Sequence, residues 1–180
     1  MYWLNEPPTW AVDGEALTVM SAPQTDFWRK THNGHIADNG HFYFQSVEGD
    51  FTAEVKVTGQ YLDLYDQAGL MVRLNSETWL KCGIEFVDGV QYASTVVTRD
   101  FSDWSLVPLD GPTSLWLRLK RYASTLEVHY SQDGHVFNIM RQAYFPPTAP
   151  LQVGMMICAP RGNGFPATFE NFTLTPGVAS

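Results

Sequence analysis

The sequence predicts an all-β protein, a jelly-roll sandwich of two curved antiparallel sheets. Three observations predict this fold class. Apolar residues mostly recur at every second position, which is the period of a strand with one buried face. The chain is rich in aromatic residues and glycine, with eleven Phe, eight Tyr, six Trp and fourteen Gly. Turn signals return about every ten residues, and no segment of about twelve residues shows a helical face.

The first five predicted strands carry this alternation. The fourth and fifth are separated by the short loop Asn75–Thr78, so we expect them to form a hairpin. The five strands are Leu17–Ala22, His41–Gln45, Phe51–Thr58, Ala68–Leu74 and Trp79–Val87.

Six more predicted strands follow, separated by turn-forming residues such as Asp88-Gly89, Asp110-Gly111-Pro112 and Asp133-Gly134. These strands are Val90–Thr98, Ser114–Tyr122, Thr125–Ser131, Phe137–Tyr144, Leu151–Cys158 and Thr168–Thr175. Eleven strands exceed an immunoglobulin-type domain, and two stacked sheets of about five to seven strands would use the whole chain. We therefore expect a single domain over residues 1–180.

Charge and hydropathy exclude several function classes. The formal net charge of -8 repels phosphate at long range, which argues against nucleic-acid and anionic-membrane partners. Apolar residues never run to the ~20 positions of a membrane-spanning helix, and the N-terminus lacks the pattern of a signal peptide. We therefore expect a cytoplasmic protein. Cys82 and Cys158 lie in apolar runs, which favours buried thiols, with a disulfide as the alternative.

Alternation assigns the faces of the fifth strand. Leu80, Cys82 and Ile84 point to one side, which we interpret as core, so Trp79, Lys81 and Glu85 point to the other. In the hairpin partner strand, Arg73 falls on the same side as this second set. A sheet face with one Trp and three charged groups is either a solvated exterior or the lining of a binding groove.

Several segments together resemble a known family. They are Trp3–Pro8, Thr25–His32, Asp38–Phe42, Tyr65–Arg73, Trp79–Glu85 and Asp103–Ser105, and the match runs in order from residue 3 to about residue 176. These segments identify the chain as similar to the regulation-of-enolase-protein family. That resemblance implies a cytoplasmic protein with a concanavalin A-like lectin/glucanase sandwich, whose concave sheet could hold a sugar. The family's name suggests a regulatory role toward a glycolytic enzyme.

Glycoside hydrolysis by Glu85 is one hypothesis. Glucanases of this architecture carry carboxylates at alternate positions of a concave strand, which places them within the ~5 to 9.5 Å that hydrolysis requires. Here Glu85 is followed two residues later by Val87, and Asp88 falls on the opposite face. The pair is missing on this strand, so a hydrolase would need a partner carboxylate from another strand.

Binding of a saccharide or sugar phosphate without catalysis is the function we favour, because it needs only aromatic stacking surfaces and planar polar groups. Arg73 and Lys81 favour an anionic or hydroxyl-rich ligand. The alternative for each residue is a structural role, in the core or in a cross-strand ion pair. The predicted groove is lined by Arg73, Trp79, Lys81 and Glu85, with Trp28, Arg29, His32, Tyr65, Asp66, Gln67 and Trp104 at its walls or rim.

Neither a metal nor a cofactor is expected. His32, His35 and His41 are separated by glycines and lack the spacing of metal ligands, so we expect His32 and His41 to anchor a loop at the groove edge or to donate to a ligand. A protein-interaction module that regulates a metabolic enzyme is the remaining alternative. The segment Arg99–Ser105, interpreted as a loop, carries two aromatic residues suited to a partner contact or a lid.

Overall fold

The computed structural model describes residues 1–147 and 150–177, in which β-strands are joined by loops. Two antiparallel sheets of seven strands each are accompanied by one two-stranded hairpin. This confirms the predicted fold class, an all-β sandwich of two antiparallel sheets. Within the described residues, no helix has the length and apolar character needed to span a membrane. The single domain over residues 1–180 stays a prediction.

The two sheets are named here front and back. The front sheet contains, in spatial order, β1 (Tyr2–Leu4), β6 (His41–Val47), β15 (Leu151–Cys158), β8 (Gln67–Asn75), β9 (Thr78–Val87), β10 (Val90–Arg99) and β11 (Phe101–Pro108). The back sheet contains β14 (Asn138–Tyr144), β13 (Thr125–Ser131), β12 (Leu115–Tyr122), β7 (Phe51–Gly59), β16 (Pro166–Pro176), β3 (Ala16–Met20) and β2 (Thr9–Asp13). The hairpin consists of β4 (Phe27–Arg29) and β5 (Ile36–Asp38).

The main core lies between the two sheets. Alternate residues of the front strands, such as Leu80 and Ile84 of β9, pack there against alternate residues of the back strands, such as Val55 and Leu117. Cys82 belongs to this core, and both cysteines are buried and free, which confirms the expected thiols. Period-two alternation therefore directs one face of each front strand into the sandwich and leaves the other face outside.

A second, smaller cluster of buried apolar residues lies on the outer face of the front sheet. It contains Phe27 from the hairpin and six residues from the sheet beneath it, which are Phe42, Met71, Trp79, Val96, Met156 and Cys158. The hairpin thus lies against the sheet as a cover. Its presence decides which outer-face residues meet solvent.

All eleven predicted strands are present, with ends that differ by at most two residues, and the β8–β9 hairpin is confirmed. Five further strands were missed. Three of them, β1, β4 and β5, have three residues each, which is too short for a pattern of period two to be recognised. β2 has five residues, all of them exposed, so it has no buried face.

The interpretation of Arg99–Ser105 as a loop was wrong. Most of that segment belongs to β11, an edge strand of the front sheet that pairs with β10. The segment Arg99–Ser105 is mostly polar because this part of the edge strand buries little of its surface.

Candidate functional site

The outer face of the front sheet carries the residues predicted to line the groove. Arg73 of β8 and Trp79 of β9 are paired across the strands, and so are Gln67 and Glu85. Lys81 lies between Trp79 and Glu85 on β9. Alternation therefore places all five side chains on one face, but the hairpin divides them into a covered part and an uncovered part.

Trp79 lies in the covered part. Its side chain has 0% exposure, its ring meets Phe27 edge-on with centroids 6.2 Å apart, and its indole N–H donates to the Ser76 carbonyl at 3.3 Å. A sugar can stack only on an exposed aromatic face, so the stacking surface expected from Trp79 is absent. The alternation was right about direction, but the hairpin fills the space above the ring.

Lys81 and Arg73 hold the hairpin in place. The Lys81 ammonium donates to the Phe27 carbonyl at 2.7 Å and to Asp26 Oδ1 at 3.2 Å. Arg73 forms a bidentate pair with Asp38, at 2.6 and 2.8 Å. Burial alone would lower the pKa of Lys81, but the negative field of Asp26 and its neighbours raises it overall. Both cations are neutralised by the hairpin, which removes the expected preference for an anionic ligand.

Three of the predicted wall residues belong to the hairpin itself. The guanidinium of Arg29 bonds to Asp100 Oδ1 at 2.9 Å and to Glu77 at 3.3 Å, which ties the hairpin to loops at the end of the front sheet. The indole N–H of half-buried Trp28 donates to the Thr31 carbonyl at 3.1 Å. His32 is exposed in the hairpin turn. Arg29 and Trp28 therefore stabilise the hairpin.

His41 holds two backbone segments in place, which is the anchoring role that was one of its two predicted roles. Its Nε2 accepts the N–H of Ala22 at 2.9 Å, so Nδ1 carries the proton and donates to the Asn5 carbonyl at 2.6 Å. Burial lowers its pKa, against a smaller opposing effect of the Asn5 contact. Among the described residues, no three His, Cys, Asp or Glu side chains are grouped as a metal site.

The part of the face beyond the hairpin lies around Glu85, which is itself 6% exposed. Its Oε2 accepts hydrogen bonds from Ser94 Oγ at 2.5 Å and from the indole N–H of Trp104 at 2.8 Å. Both bonds end on Oε2, so Oε1 has no donor among the described residues. Burial raises the pKa of Glu85, while Lys81 and these two donors oppose the rise. Trp104 itself is 40% exposed.

Tyr65 forms the rim beside Trp104, with ring centroids 6.0 Å apart in an edge-on contact. Its φ of 70° lies in the left-handed region, which is rare for a bulky side chain and costs free energy. The loop is fixed by Asp66, whose Oδ2 accepts the backbone N–H groups of Leu62 and Asp63, and by Gln67, whose amide donates to the Tyr65 carbonyl at 3.1 Å. Asp66 is thus a support for the rim.

A shallow indentation lies between these groups, and its lining side chains are almost fully buried. Its floor is bare because Gly69 and Gly83 face each other across β8 and β9, and a Cβ at either would collide with a backbone oxygen of the neighbouring strand. We call this region the open corner. It is lined by Gln67, Lys81, Gly83, Glu85, Ser94 and Met156, with Trp104 and Tyr65 at the rim.

The open corner offers the Glu85 carboxylate, the Gln67 amide and an aromatic rim. Its other two polar groups already donate elsewhere, the Ser94 hydroxyl to Glu85 and the Lys81 ammonium to the hairpin. The residue opposite Glu85 on β8 is Gln67, so the cross-strand position carries an amide where a hydrolase would need its second acid. The hairpin carboxylates Asp26 and Asp38 are already paired with Lys81 and Arg73. Such a site is chemically suited to hydrogen bonding and stacking.

The sequence analysis did not separate the residues of the open corner from those that the hairpin covers. It also missed three residues that contact the predicted site. Ser94 was missed, although alternation along β10 places it on the outer face with Val96 and Thr98, so the same parity argument would have found it. Asp26 and Asp38 were missed as partners of Lys81 and Arg73. No local pattern signals contacts between residues 55 and 35 positions apart.

Known proteins resemble this chain in sequence and fold. Residues 3–177 match the model of a family described as "Protein of unknown function (DUF1349)". The protein named Regulation of enolase protein 1, from Saccharomyces cerevisiae, is 39% identical over 174 residues, which cover 96% of this chain and 88% of that protein. The crystal structure of a protein from the same organism, described as functionally unknown, has a TM-score of 0.95 and 38% identity, covering 99% of this chain and 97% of that one.

More distant structures share the fold. The GH43 BlXynB protein from Bacillus licheniformis has a TM-score of 0.76 at 15% identity, over 96% of this chain and 36% of that one. The carbohydrate binding module CBM66 from Bacillus subtilis has a TM-score of 0.62 at 14% identity, over 96% of this chain and 94% of that one. At these identities the likeness establishes a common β-sandwich architecture.

Proposed function

The chain belongs to the DUF1349 family, and from that premise we propose that it binds a neutral saccharide at the open corner without hydrolysing it. The observation that carries the proposal is the state of Glu85. Its carboxylate is held by two donors on one oxygen, while the other oxygen is free to accept a hydroxyl group. Directly beside it, Trp104 presents a partly exposed aromatic face.

Saccharides are recognised by this combination of groups. The apolar face of a pyranose packs on an aromatic ring, while planar side chains exchange hydrogen bonds with its hydroxyls. Trp104 and Tyr65 supply the rings, and Glu85 and Gln67 supply the planar groups. The strained backbone of Tyr65 also supports a functional role, because strain of this kind collects at binding sites.

A neutral ligand fits better than a sugar phosphate. A phosphate would need a cation with free donors, and Arg73 and Lys81 are occupied by Asp38 and Asp26. Glu85 would in addition repel an anion placed in the open corner. The name of the Bacillus subtilis module of similar fold, a carbohydrate binding module, supports the saccharide class.

Isothermal titration calorimetry with a panel of neutral monosaccharides and disaccharides, and with the matching sugar phosphates, tests the proposal. We expect a neutral sugar to bind, and Trp104→Ala and Glu85→Gln each to weaken it about tenfold or more, which is a loss of ~1.4 kcal/mol. Phe101→Ala is the matched control, because Phe101 is an exposed aromatic residue on the same strand whose ring lies near Lys30 of the hairpin.

Three results of this titration would contradict the proposal. One is the absence of heat with every neutral sugar. Another is equal loss of affinity in the Phe101→Ala control. The third is release of reducing sugar that depends on Glu85, which would favour the hydrolase instead.

A second candidate function is regulation of a glycolytic enzyme by direct contact. It is favoured by the name of the Saccharomyces cerevisiae relative, Regulation of enolase protein 1. The exposed edge strand β11, with Phe101 and Trp104 on its surface, is a suitable contact region. Biolayer interferometry with purified enolase checks it, and Phe101→Ala should then weaken binding.

A further inference from the structure

We propose a second ligand site, on the outer face of the back sheet, that binds a neutral saccharide. It lies on the opposite sheet from the open corner and does not depend on that site. A cleft with about 400 Å³ of space carries the proposal, because this volume falls within the ~300–1,000 Å³ of small-molecule sites. We call it the back cleft, and its outward side chains are those of Thr52, Lys120, Tyr122, Thr125, Glu127 and Gln142.

Strand register builds the polar side of the back cleft. Lys120 of β12 lies between Thr52 of β7 and Glu127 of β13, and Glu127 lies opposite Gln142 of β14. Alternate residues of these strands belong to the main core, so this row of four faces outward. The Gln142 amide donates to Glu127 Oε1 at 3.2 Å, which holds the two planar groups side by side. A hydroxyl, an ammonium, a carboxylate and an amide are thus presented together on a sheet.

The next row toward the end of the sheet is aromatic. Tyr122 lies opposite Thr125, and Tyr144 continues the row on the edge strand β14. Tyr122 is 66% exposed, so its ring is accessible to a ligand, whereas the hairpin covers Trp79 on the front sheet. The apolar face of a sugar packs on a ring of this kind.

Lys120 differs from the other cations on this face of the sheet. Arg118 is paired with Glu54 at 2.6 Å, and Lys56 is paired with Glu170 at 2.9 Å. Within residues 1–147 and 150–177, the Lys120 ammonium forms neither an ion pair nor a hydrogen bond. Its three N–H donors are therefore available to hydroxyl groups of a ligand.

The charges around the back cleft favour a neutral ligand. Two cationic side chains, Lys120 and Arg121, and two carboxylates, Asp50 and Glu127, line it. An anion drawn to Lys120 would be repelled by Glu127, which lies directly across the strands. A neutral saccharide can accept hydrogen bonds from Lys120 and donate its hydroxyls to Glu127.

NMR titration of the ¹⁵N-labelled full chain tests the proposal. The probes are the methyl glycosides of glucose, xylose, galactose and arabinose, with methyl glucuronide as an anionic arm. We expect at least one neutral glycoside to shift the backbone amides of Thr52, Lys120, Thr125 and Glu127 in a saturable manner. Methyl glucuronide should bind there at least fivefold more weakly than that glycoside.

Variants locate the binding. Tyr122→Ala and Lys120→Met should each weaken it about fivefold or more, and both replaced side chains are exposed, so the fold should be retained. Tyr2→Ala is the matched control, because Tyr2 is 74% exposed on β1 of the front sheet. Trp104→Ala, at the open corner, should also leave the affinity of the back cleft unchanged.

The failures of the two sites are distinguishable. If glycosides shift only the amides around Glu85 and Trp104, the back cleft is wrong and the open corner stands. If they shift only the amides of the back cleft, the open corner is wrong and the present proposal is supported. The proposal is overturned if no glycoside shifts the amides of the back cleft, if Tyr122→Ala and Lys120→Met bind as wild type does, or if methyl glucuronide binds there and neutral glycosides do not.

Discussion

The ion pair beneath the hairpin makes a sharp prediction about stability. The Lys81 side chain is 4% exposed, and its ammonium meets Asp26 Oδ1 and the Phe27 carbonyl. The substitution Asp26→Asn removes the counter-charge but keeps the size of the side chain. It leaves a buried cation with only neutral acceptors, which is a costly arrangement.

The expected cost follows from the burial of the two partners. Removing one partner of a buried ion pair costs about 3–5 kcal/mol, but the Asp26 side chain is 21% exposed, so water already screens part of its field. An Asn at this position also keeps an oxygen for the Phe27 N–H, which Asp26 accepts at 2.8 Å. We therefore expect a loss of about 2–3 kcal/mol in the free energy of unfolding. At ~2–4 °C per kcal/mol, Tm falls by about 4–12 °C.

Urea unfolding followed by tryptophan fluorescence measures this loss. The double variant Asp26→Asn with Lys81→Met should be more stable than Asp26→Asn alone, because it contains no unpaired buried charge. Glu170→Gln is the control, since its pair with Lys56 lies on the surface and should contribute less than about 1 kcal/mol. The reasoning is refuted if Asp26→Asn costs less than about 0.5 kcal/mol, or if the second substitution lowers stability further.

Two further predictions concern the rim and the N-terminal anchor. Tyr65→Asn should leave the free energy of unfolding within about 1 kcal/mol of wild type, because Asn tolerates a positive φ. In calorimetry the same variant should bind the sugar several-fold more weakly. A large loss of stability would contradict this prediction. Burial lowers the pKa of His41, so as pH falls the unfolded chain binds a proton at this residue, at about pH 6.5, before the folded protein does. The contribution of His41 to stability is therefore present above about pH 6.5 and is lost as pH falls below that value. Urea midpoints at about pH 7.5 and pH 5.5 should therefore differ less in His41→Gln than in wild type, and equal differences would rule this out.

Most strands of the fold were predictable from the sequence because apolar residues alternate with polar ones wherever one face of a strand is buried. Along β9, Leu80, Cys82 and Ile84 enter the core while Trp79 and Lys81 face outward, as period two requires. Strands of three residues, and β11 with its single buried residue, contain too little of that pattern to be recognised.

The candidate site was predictable only in part. Glu85, Gln67 and Trp104 were assigned to the groove, and the structure brings them together at the open corner. Trp79 and Lys81 were assigned to the same groove on the same grounds, yet the hairpin covers both. The alternation of side chains along a strand predicts the direction in which each one points. It contains no information about which other element covers that side chain.

The sequence by itself determined the all-β class and the direction of the side chains along the longer strands, since both depend on residues that are neighbours in a strand. Only the tertiary structure decided which outward side chains meet solvent. Phe27 reaches Trp79, and Asp26 reaches Lys81, from more than 50 positions away along the chain. Burial and charge pairing at the site depend on such contacts, and no local periodicity encodes them because the two partners lie in different elements.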